Sequence, residues 1–314
     1  MEKSEIFEHK KIFEYGNKFS NKIYNKILSL LDEKDTDLHI QENGEIYKKD
    51  YKGIRSYVGN NIVTPQEIMA LGALLAIRND TELNMHNPML DAYIPYDNAR
   101  VHIDIPPITA RPVLDLRLFH ENYQSLDALM GMGMFTETDK EKLINIVNSR
   151  KNIIISGETG SGKTTLLQAL INTVNPDEHL LVIEDTREIY RKSPYLPDRE
   201  LQTSYMTTSQ WANAQRCVSA SLRKDPDRII YGEVRDKTAL DLIESWNTGH
   251  AGMGTIHANN SNAVITRLIS LCGQASQSSQ EEAIREALDV IIHIKIQTKQ
   301  GKKIRKIEEI KILK

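Results

Sequence analysis

Hydrophobic and polar residues follow two different patterns along this chain, and the pattern changes near residue 119. Before that point, stripes of helical spacing mix with short strand-like stretches, such as residues 89–94 and 100–105, that prolines and asparagines interrupt. After it, helical patterns alternate with short strands made almost entirely of apolar residues. The pattern predicts a small α+β domain with its linker at residues 1–119, followed by an α/β domain at residues 120–314.

The first helical stripe covers about residues 12–31. Phe19, Ile23, Ile27 and Leu30 share one face of this segment, and lysines occupy another face. A basic amphipathic helix of this kind either packs on its own domain or on a neighbouring subunit, or it lies on an anionic membrane. Packing is the more common outcome, and we therefore predict a packed helix.

A second helix is predicted to begin after Thr64. The Thr64 side chain can cap this helix, Pro65 suits its first turn, and Glu67 completes a capping box. An apolar run follows and supplies a face to bury. Further along, the proline-rich segment 106–112 resists regular structure and is predicted to lead into the linker.

The second half of the chain predicts a mostly parallel sheet, because strands buried on both faces are apolar throughout. Four such strands are predicted, at residues 152–156, 180–184, 228–231 and 254–257. The end of the chain differs, since residues 289–297 and 303–313 alternate apolar and charged positions. That alternation predicts an antiparallel hairpin with one solvated face, which explains its lysines and arginines more simply than nucleic-acid binding does.

Composition adds three limits to this picture. The 314 residues are 40% hydrophobic and 26% charged, as in a soluble globular protein, and the net charge of −3 gives no general attraction for nucleic acid. Two cysteines, Cys217 and Cys272, are too few for a disulfide framework or a four-cysteine zinc site. The charged N-terminus and the lack of a long apolar run predict a cytoplasmic protein without a transmembrane segment.

The strongest chemical signal is the stretch GETGSGKT at residues 157–164, a complete G-x-x-x-x-G-K-T motif. Glycines let the backbone curl so that successive N–H groups face a phosphate, and the positive end of the following helix points at the same anion. A predicted strand precedes the motif and a helical pattern follows it. We therefore predict binding of ATP with Mg²⁺. The residues assigned to the nucleotide are Gly157, Thr159, Gly160, Ser161, Gly162, Lys163, Thr164 and Thr165, with Thr164 also a magnesium ligand.

A second apolar strand ends in an acid. Residues 228–231 lead into Gly232 and Glu233. Many phosphate-loop proteins end this strand with a metal-supporting aspartate, but here Gly232 stands before the acid. Glu233 is therefore predicted to polarise or deprotonate the attacking water. Asp236 is predicted to cap the next helix, since apolar residues at helical spacing follow it.

Two further groups of polar residues follow apolar strands. Glu184 and Glu188 come where a strand ends, which is where α/β folds place ligands. Either glutamate can orient water or the magnesium shell, or it can pair with a cation such as Arg187. His257 ends the last parallel strand, and its chemistry fits a γ-phosphate sensor and a packed, hydrogen-bonded residue equally well.

Together, these four blocks resemble the secretion, or traffic, ATPases of type IV secretion, conjugation, type II secretion and type IV pili. The chain looks most like the conjugal-transfer (TrbB-type) branch, through the stretches WNTGH at 246–250 and TIHANN at 255–260. Asp236 is more typical of the pilus and type II branches, and the sequence lacks the four-cysteine zinc motif of many type II members. The resemblance implies a small N-terminal α+β domain followed by a RecA-like phosphate-loop ATPase domain with a mostly parallel sheet.

The resemblance also implies roles for individual residues. Glu233 would be the catalytic glutamate, Glu184 and Glu188 would form an acidic box, and His250 and His257 would lie in a histidine box. The arginines that would reach the nucleotide from the first domain and linker are Arg100, Arg111 and Arg117.

Finally, the resemblance implies a hexameric ring that holds ATP between its two domains. Closure of these domains would act on inner-membrane components of a secretion or conjugation machine. A type IV pilus or type II secretion assembly ATPase is the alternative within the family. Two other interpretations are a nucleotide-gated scaffold with little turnover and a nucleic-acid translocase. The acidic balance and the lack of interleaved basic and aromatic residues disfavour the translocase.

Overall fold

A computed structural model describes residues 18–51, 53–94, 98–119, 124–191, 202–207, 214–221, 223–247, 249–273, 277–299 and 302–314. The described residues divide into two compact units. Those up to residue 119 belong to the first unit, and those from residue 124 onward belong to the second. No helix in these ranges is long and apolar enough to span a membrane.

Among the described residues, the first unit combines two helices with one antiparallel sheet. Its elements are α1 (Lys18–Leu28), β1 (Asp35–Ile40), β2 (Glu45–Asp50), β3 (Arg55–Asn60), α2 (Pro65–Arg78), β4 (Met89–Ile94), β5 (Ala99–Asp104) and β6 (Val113–Leu118). The strand order is β3-β2-β1-β6-β5-β4, and every neighbouring pair is antiparallel. This arrangement confirms the predicted α+β class.

Strand β6 directly follows the proline-rich segment that was predicted to resist regular structure. It lies between β1 and β5 near the middle of the sheet, so residues 113–118 form sheet structure, and only the segment before them is irregular. Its Leu114 and Leu116 are buried, whereas Asp115 and Arg117 are exposed. Buried and exposed side chains thus alternate, as in a strand with one covered face, although the strand is short and begins directly after Pro112.

Helix α1 packs on its own unit, as predicted. Ile23 and Ile27 are each 1% exposed and belong to the apolar core of the first unit. Lys26, on the polar side, donates to both carboxylate oxygens of Glu67 on α2 at 2.9 Å. The Phe19 side chain and residues 12–17, which the prediction included, lie outside the described part.

Helix α2 begins as its sequence predicts. The Thr64 side chain accepts a hydrogen bond from the Glu67 N–H at 3.2 Å, and the Glu67 carboxylate accepts one from the Thr64 N–H at 2.8 Å. These reciprocal bonds form the capping box and satisfy N–H groups that have no partner within the helix.

The second unit is a seven-stranded sheet with helices on both faces. Its elements are α3 (Leu126–Gly131), α4 (Glu137–Asn148), β7 (Ile153–Gly157), α5 (Lys163–Ile171), β8 (Leu180–Glu184), β9 (Gln202–Met206), α6 (Ala214–Ser221), β10 (Arg228–Val234), α7 (Thr238–Asn247), β11 (Ala251–Ile256), α8 (Ala263–Cys272), α9 (Gln277–Ala287), β12 (Val290–Lys299) and β13 (Lys302–Ile312). The strand order is β13-β12-β7-β11-β10-β8-β9.

The sheet of the second unit is mostly parallel, as predicted. Among the described strands of this sheet, only β12 and β13 pair in an antiparallel way, and they form the predicted C-terminal hairpin. Neighbouring residues of one strand enter different apolar cores: Ile153 and Ile155 pack on one face of the sheet, and Ile154 packs on the other. Because both faces are covered, the strands can be apolar at every position.

The order of the central strands determines what lies together at one edge of this sheet. Strands β7, β11, β10 and β8 are consecutive neighbours and run parallel. Their carboxyl ends therefore meet at the same edge, and the segments that follow them become neighbours there.

Candidate active site

The phosphate-loop segment, residues 157–162, connects β7 to α5. A side chain at Gly157 would place its Cβ 2.5 Å from the Ile294 carbonyl oxygen and 2.6 Å from Ser161 Oγ, so the close packing of this loop requires glycine there. Gly162, the residue before α5, has a left-handed φ of 92°. The loop is thus a tight turn that only its glycines allow.

The start of helix α5 has the properties of an anion site. Gly162 is its N-cap and supplies no side-chain hydrogen bond, so the N–H groups of the first turn are not capped. Ser161 Oγ is fully buried and has no hydrogen-bond partner among the described residues. Uncapped N–H groups and the helix dipole favour a phosphate at this position.

Lys163 lies folded against the loop that precedes it. It is 7% exposed, and its Nζ donates to the carbonyl oxygens of Gly157 and Glu158, both at 3.1 Å. The same Nζ lies 3.2 Å from His257 Nδ1. Burial lowers the pKa of Lys163, although the nearby Glu233 carboxylate partly opposes this effect.

His257 bridges Lys163 and Glu233. A lysine ammonium group can only donate, so His257 Nδ1 must accept and the ring proton must lie on Nε2. That Nε2 faces Glu233 Oε1 at 3.2 Å. Burial lowers the pKa of His257, and the positive charge of Lys163 lowers it further, so the imidazole is neutral near pH 7.

Glu233 is held as a carboxylate. Its Oε2 accepts a hydrogen bond from Arg235 at 2.8 Å, and Arg235 also reaches Asp185 at 2.9 Å. Burial alone would raise the pKa of Glu233, but the Arg235 hydrogen bond and the positive charges around it lower the pKa below its ordinary value. The contacts run from Lys163 through His257, Glu233 and Arg235 to Asp185, in the order of strands β7, β11, β10 and β8.

The glycine before Glu233 has a steric cause. A Cβ on Gly232 would lie 2.9 Å from Glu184 Cβ on the neighbouring strand β8. The Gly232 carbonyl oxygen accepts a hydrogen bond from the Thr255 hydroxyl of β11 at 2.6 Å. Glycine therefore stands at the position that carries an aspartate in many phosphate-loop proteins, because the close packing of β10 against β8 leaves no room for a side chain.

Asp236 caps α7 as predicted, since it accepts a hydrogen bond from the Thr238 N–H at 2.9 Å.

The two predicted acidic-box residues lie in different environments. Glu184 is 5% exposed, and its Oε2 accepts from the N–H groups of Glu188 and Ile189 at 2.9 and 3.1 Å. Its Oε1 is buried with no hydrogen-bond partner among the described residues. Burial raises the pKa of Glu184 to about 8, despite the two backbone hydrogen bonds that oppose the rise. Glu188 is exposed.

Glu184 makes stability depend on pH. The pKa of Glu184 is higher in the folded chain than in the unfolded chain. Its stabilising contribution to the free energy of unfolding is therefore complete below about pH 4.5 and is lost as the pH rises through about 8. We expect the unfolding free energy of the wild type to fall by about 2–4 kcal/mol relative to Glu184→Gln between pH 5 and pH 9. Urea unfolding of both proteins at several pH values measures this. The unfolding free energy of Glu188→Gln, which changes an exposed carboxylate, should depend on pH as that of the wild type does. If the unfolding free energy of Glu184→Gln changes with pH in parallel with the wild type, the expectation is wrong.

The three predicted arginines all belong to the first unit. Arg100 donates to Asp91 at 2.9 Å, and Arg117 Nε donates to Asp37 at 2.7 Å. Arg111 is exposed, and it has no ion pair within the ranges described. The nucleotide contacts assigned to these arginines stay predictions.

Three residues of this region were missed by the sequence reasoning. Arg235 and Asp185 link the ends of β10 and β8, and both adjoin predicted site residues, so their types and places were visible in the sequence. Arg305 of β13 donates from Nε to the Gly160 carbonyl oxygen at 2.9 Å. No local signal gives this contact, because it joins residues far apart in the chain.

The sequence of this chain matches a known family of proteins. The profile of the type II/IV secretion system protein family matches residues 15–310. The probable conjugal transfer protein TrbB of Sinorhizobium fredii (strain NBRC 101917 / NGR234) is 32% identical over 262 residues, covering 81% of this chain and 78% of that protein. The conjugal transfer protein TrbB of Rhizobium radiobacter is 34% identical over 254 residues, covering 80% and 76%.

Solved structures show the same fold. The X-ray structure of the Legionella pneumophila ATPase DotB aligns with a TM-score of 0.66 at 19% identity, covering 91% of this chain and 79% of that one. The chain therefore belongs to the type II/IV secretion system protein family, and the predicted class of enzyme, a secretion ATPase, is confirmed.

Proposed function

We propose that this ATPase is a motor that powers a conjugal-transfer or type IV secretion machine, with catalysis centred on Lys163, His257 and Glu233. The observation that carries the proposal is the series of contacts that links these three side chains beside the phosphate-loop segment. Helix α5, which follows this segment, has no capping side chain at its start. The two conjugal transfer relatives, each similar over about four fifths of this chain, favour conjugation over the other machines of the family.

The geometry suggests how ATP changes the site. Phosphate oxygens accept hydrogen bonds from the N–H groups of the loop, and Lys163 leaves the carbonyl oxygens of Gly157 and Glu158 to neutralise the β- and γ-phosphates. His257 then loses its contact with the lysine. Glu233, ionised because Arg235 lowers its pKa, accepts a proton from the water that attacks the γ-phosphorus, while the bond from that phosphorus to the bridging oxygen breaks and ADP leaves.

Magnesium fits this donor set in a limited way. Among the described residues, no three acidic, histidine or cysteine side chains lie close enough to hold a metal ion by themselves. Thr164, half-buried in the first turn of α5, offers one hydroxyl beside the phosphates. Mg²⁺ is commonly held by few protein ligands together with phosphate oxygens and waters, and when bound it neutralises charge on the phosphates. We propose Thr164 as its protein ligand.

The larger assembly is also a proposal. We propose a cytoplasmic homo-hexamer in which nucleotide-driven closure between the two units acts on inner-membrane components of the machine. Assembly of a type IV pilus or type II secretion system is the alternative within the family. A nucleotide-gated scaffold would bind ATP through the same loop but release little phosphate.

The test is ATP binding and magnesium-dependent phosphate release by the full chain. Lys163→Ala should weaken ATP binding by about 10- to 100-fold, because it removes charge-assisted hydrogen bonds to the phosphates. Titration with a fluorescent ATP analogue measures the dissociation constant.

Lys142→Ala, which removes an exposed lysine from α4, is the matched control and should bind like the wild type. Unchanged binding by Lys163→Ala would reject the assigned phosphate site. A wild type that binds ATP but releases no phosphate with magnesium present would favour the scaffold instead.

A further inference from the structure

The C-terminal hairpin passes alongside the phosphate loop. Strand β12 pairs with β7 as far as Ile294, which lies opposite Gly157, and then continues beyond the end of β7. In the hairpin, Ile296 pairs with Arg305 of β13. The register of the hairpin therefore brings Arg305 level with the loop that follows β7.

Arg305 makes two kinds of contact with that loop. Its Nε donates to the Gly160 carbonyl oxygen at 2.9 Å. Its Cδ would lie 3.3 Å from a Cβ built on Gly162, at the same distance as Met134 Cε. The side chain thus binds one loop peptide through its guanidinium group and packs against another through its aliphatic part.

The bound peptide is held at both ends. The Ser161 N–H, on the same peptide group as the Gly160 carbonyl, donates to the Glu158 carbonyl oxygen at 3.2 Å. In a trans peptide the C=O and N–H groups point in opposite directions, so fixing one fixes the other. Arg305 and Glu158 together set the orientation of the peptide at the top of the loop.

We propose that Arg305 is a positioning residue that keeps the phosphate loop in the shape that ATP binds. Glycine-rich segments lose much conformational freedom when they become ordered, and a ligand that must order its own site binds less tightly. An anchor from the hairpin orders the loop before ATP arrives. This inference rests on the proposed role of the loop in binding ATP.

The proposal predicts that loss of Arg305 weakens ATP binding but leaves the rate of the chemical step nearly unchanged. Arg305→Ala should raise both the dissociation constant for ATP and KM by about 5- to 20-fold, because one hydrogen bond to a charged donor is lost at an exposed site. The kcat should change by less than about threefold, since Glu233 and His257 are untouched. Arg305→Lys should recover most of the loss, since an ammonium group can donate to the same carbonyl oxygen.

The experiment uses the full chain and compares these variants with Lys306→Ala. Lys306 is the next residue of β13, is exposed and carries the same charge, so it controls for general electrostatic attraction of ATP. Titration with a fluorescent ATP analogue and steady-state phosphate release give the dissociation constant, KM and kcat. The thermal midpoint of each variant checks its folding.

Three results would overturn the inference alone: Arg305→Ala binding like the wild type, equal weakening in Arg305→Ala and Lys306→Ala, or a fall in kcat at unchanged KM. A wild type that binds no ATP would overturn the proposed function, and this inference with it. A rise in KM confined to Arg305→Ala and reduced in Arg305→Lys would support it.

Discussion

Glu233→Gln should lower the rate of ATP hydrolysis by about 10²–10⁴-fold while leaving ATP binding nearly unchanged. Glutamine keeps the size of the side chain and an oxygen that can accept the Arg235 hydrogen bond, but it cannot take a proton from water. The carboxylate of Glu233 is kept ionised by Arg235 and Lys163, despite the burial that would raise its pKa. The structure therefore holds Glu233 as a carboxylate, the form that can accept a proton from water.

Single-turnover and steady-state phosphate release, together with ATP titration, measure the two effects separately. Glu244→Gln is the control, because Glu244 is an exposed glutamate on α7, the helix that follows β10. It should hydrolyse ATP at the wild-type rate. Turnover of Glu233→Gln within tenfold of the wild type would mean that another group receives the proton.

Several features of the second unit could be read from the sequence because local chemistry determines them. Strand β8 has five buried residues in succession, and such strands occur where both faces of a sheet are covered. The phosphate loop is equally local, since its glycines and Lys163 follow one another in the chain. The same holds for the Thr64 capping box, which needs only residues three apart.

Three strands of the first unit, β1, β2 and β3, were harder to predict, because they are short and largely polar. Strand β2 has the sequence EIYKKD, and Ile46 is its one buried residue. Its neighbour β1 carries Asp35 and Asp37 at buried positions, where aspartate gives no strand signal. Cross-strand ion pairs, such as that of Arg117 with Asp37, make these positions tolerable, and such pairs are visible only once the strands are paired.

The contacts around the candidate site illustrate the same limit. Glu233 was identified from its place at a strand end, but its link through Arg235 to Asp185 depends on β10 and β8 being neighbours. The high pKa of Glu184 depends on burial beside Gly232, which the order of strands creates. Residue types could be predicted, whereas the interactions that tune them required the fold.

Under the proposed function, we expect the largest effect from an arginine of the first unit. An arginine that stabilises charge on the transferred phosphoryl group contributes about 10³–10⁵ to turnover. Arg100 and Arg117 are already engaged by Asp91 and Asp37, and leaving these carboxylates would cost free energy. Arg111 is exposed and forms no ion pair within the described ranges, so we expect Arg111→Ala to lower turnover by about 10³–10⁵-fold.

Arg111→Lys should recover little of this loss, because lysine cannot make the two parallel hydrogen bonds of a guanidinium group. Arg55→Ala, which removes another exposed arginine of the first unit, should keep wild-type turnover. Steady-state phosphate release at saturating ATP measures the turnover of the wild type and of each arginine variant. If Arg111→Ala stays within tenfold of the wild type while Arg100→Ala or Arg117→Ala loses activity, then an arginine must leave its carboxylate to reach ATP. The ion pair of that arginine with Asp91 or Asp37 would then be exchanged for a contact with ATP.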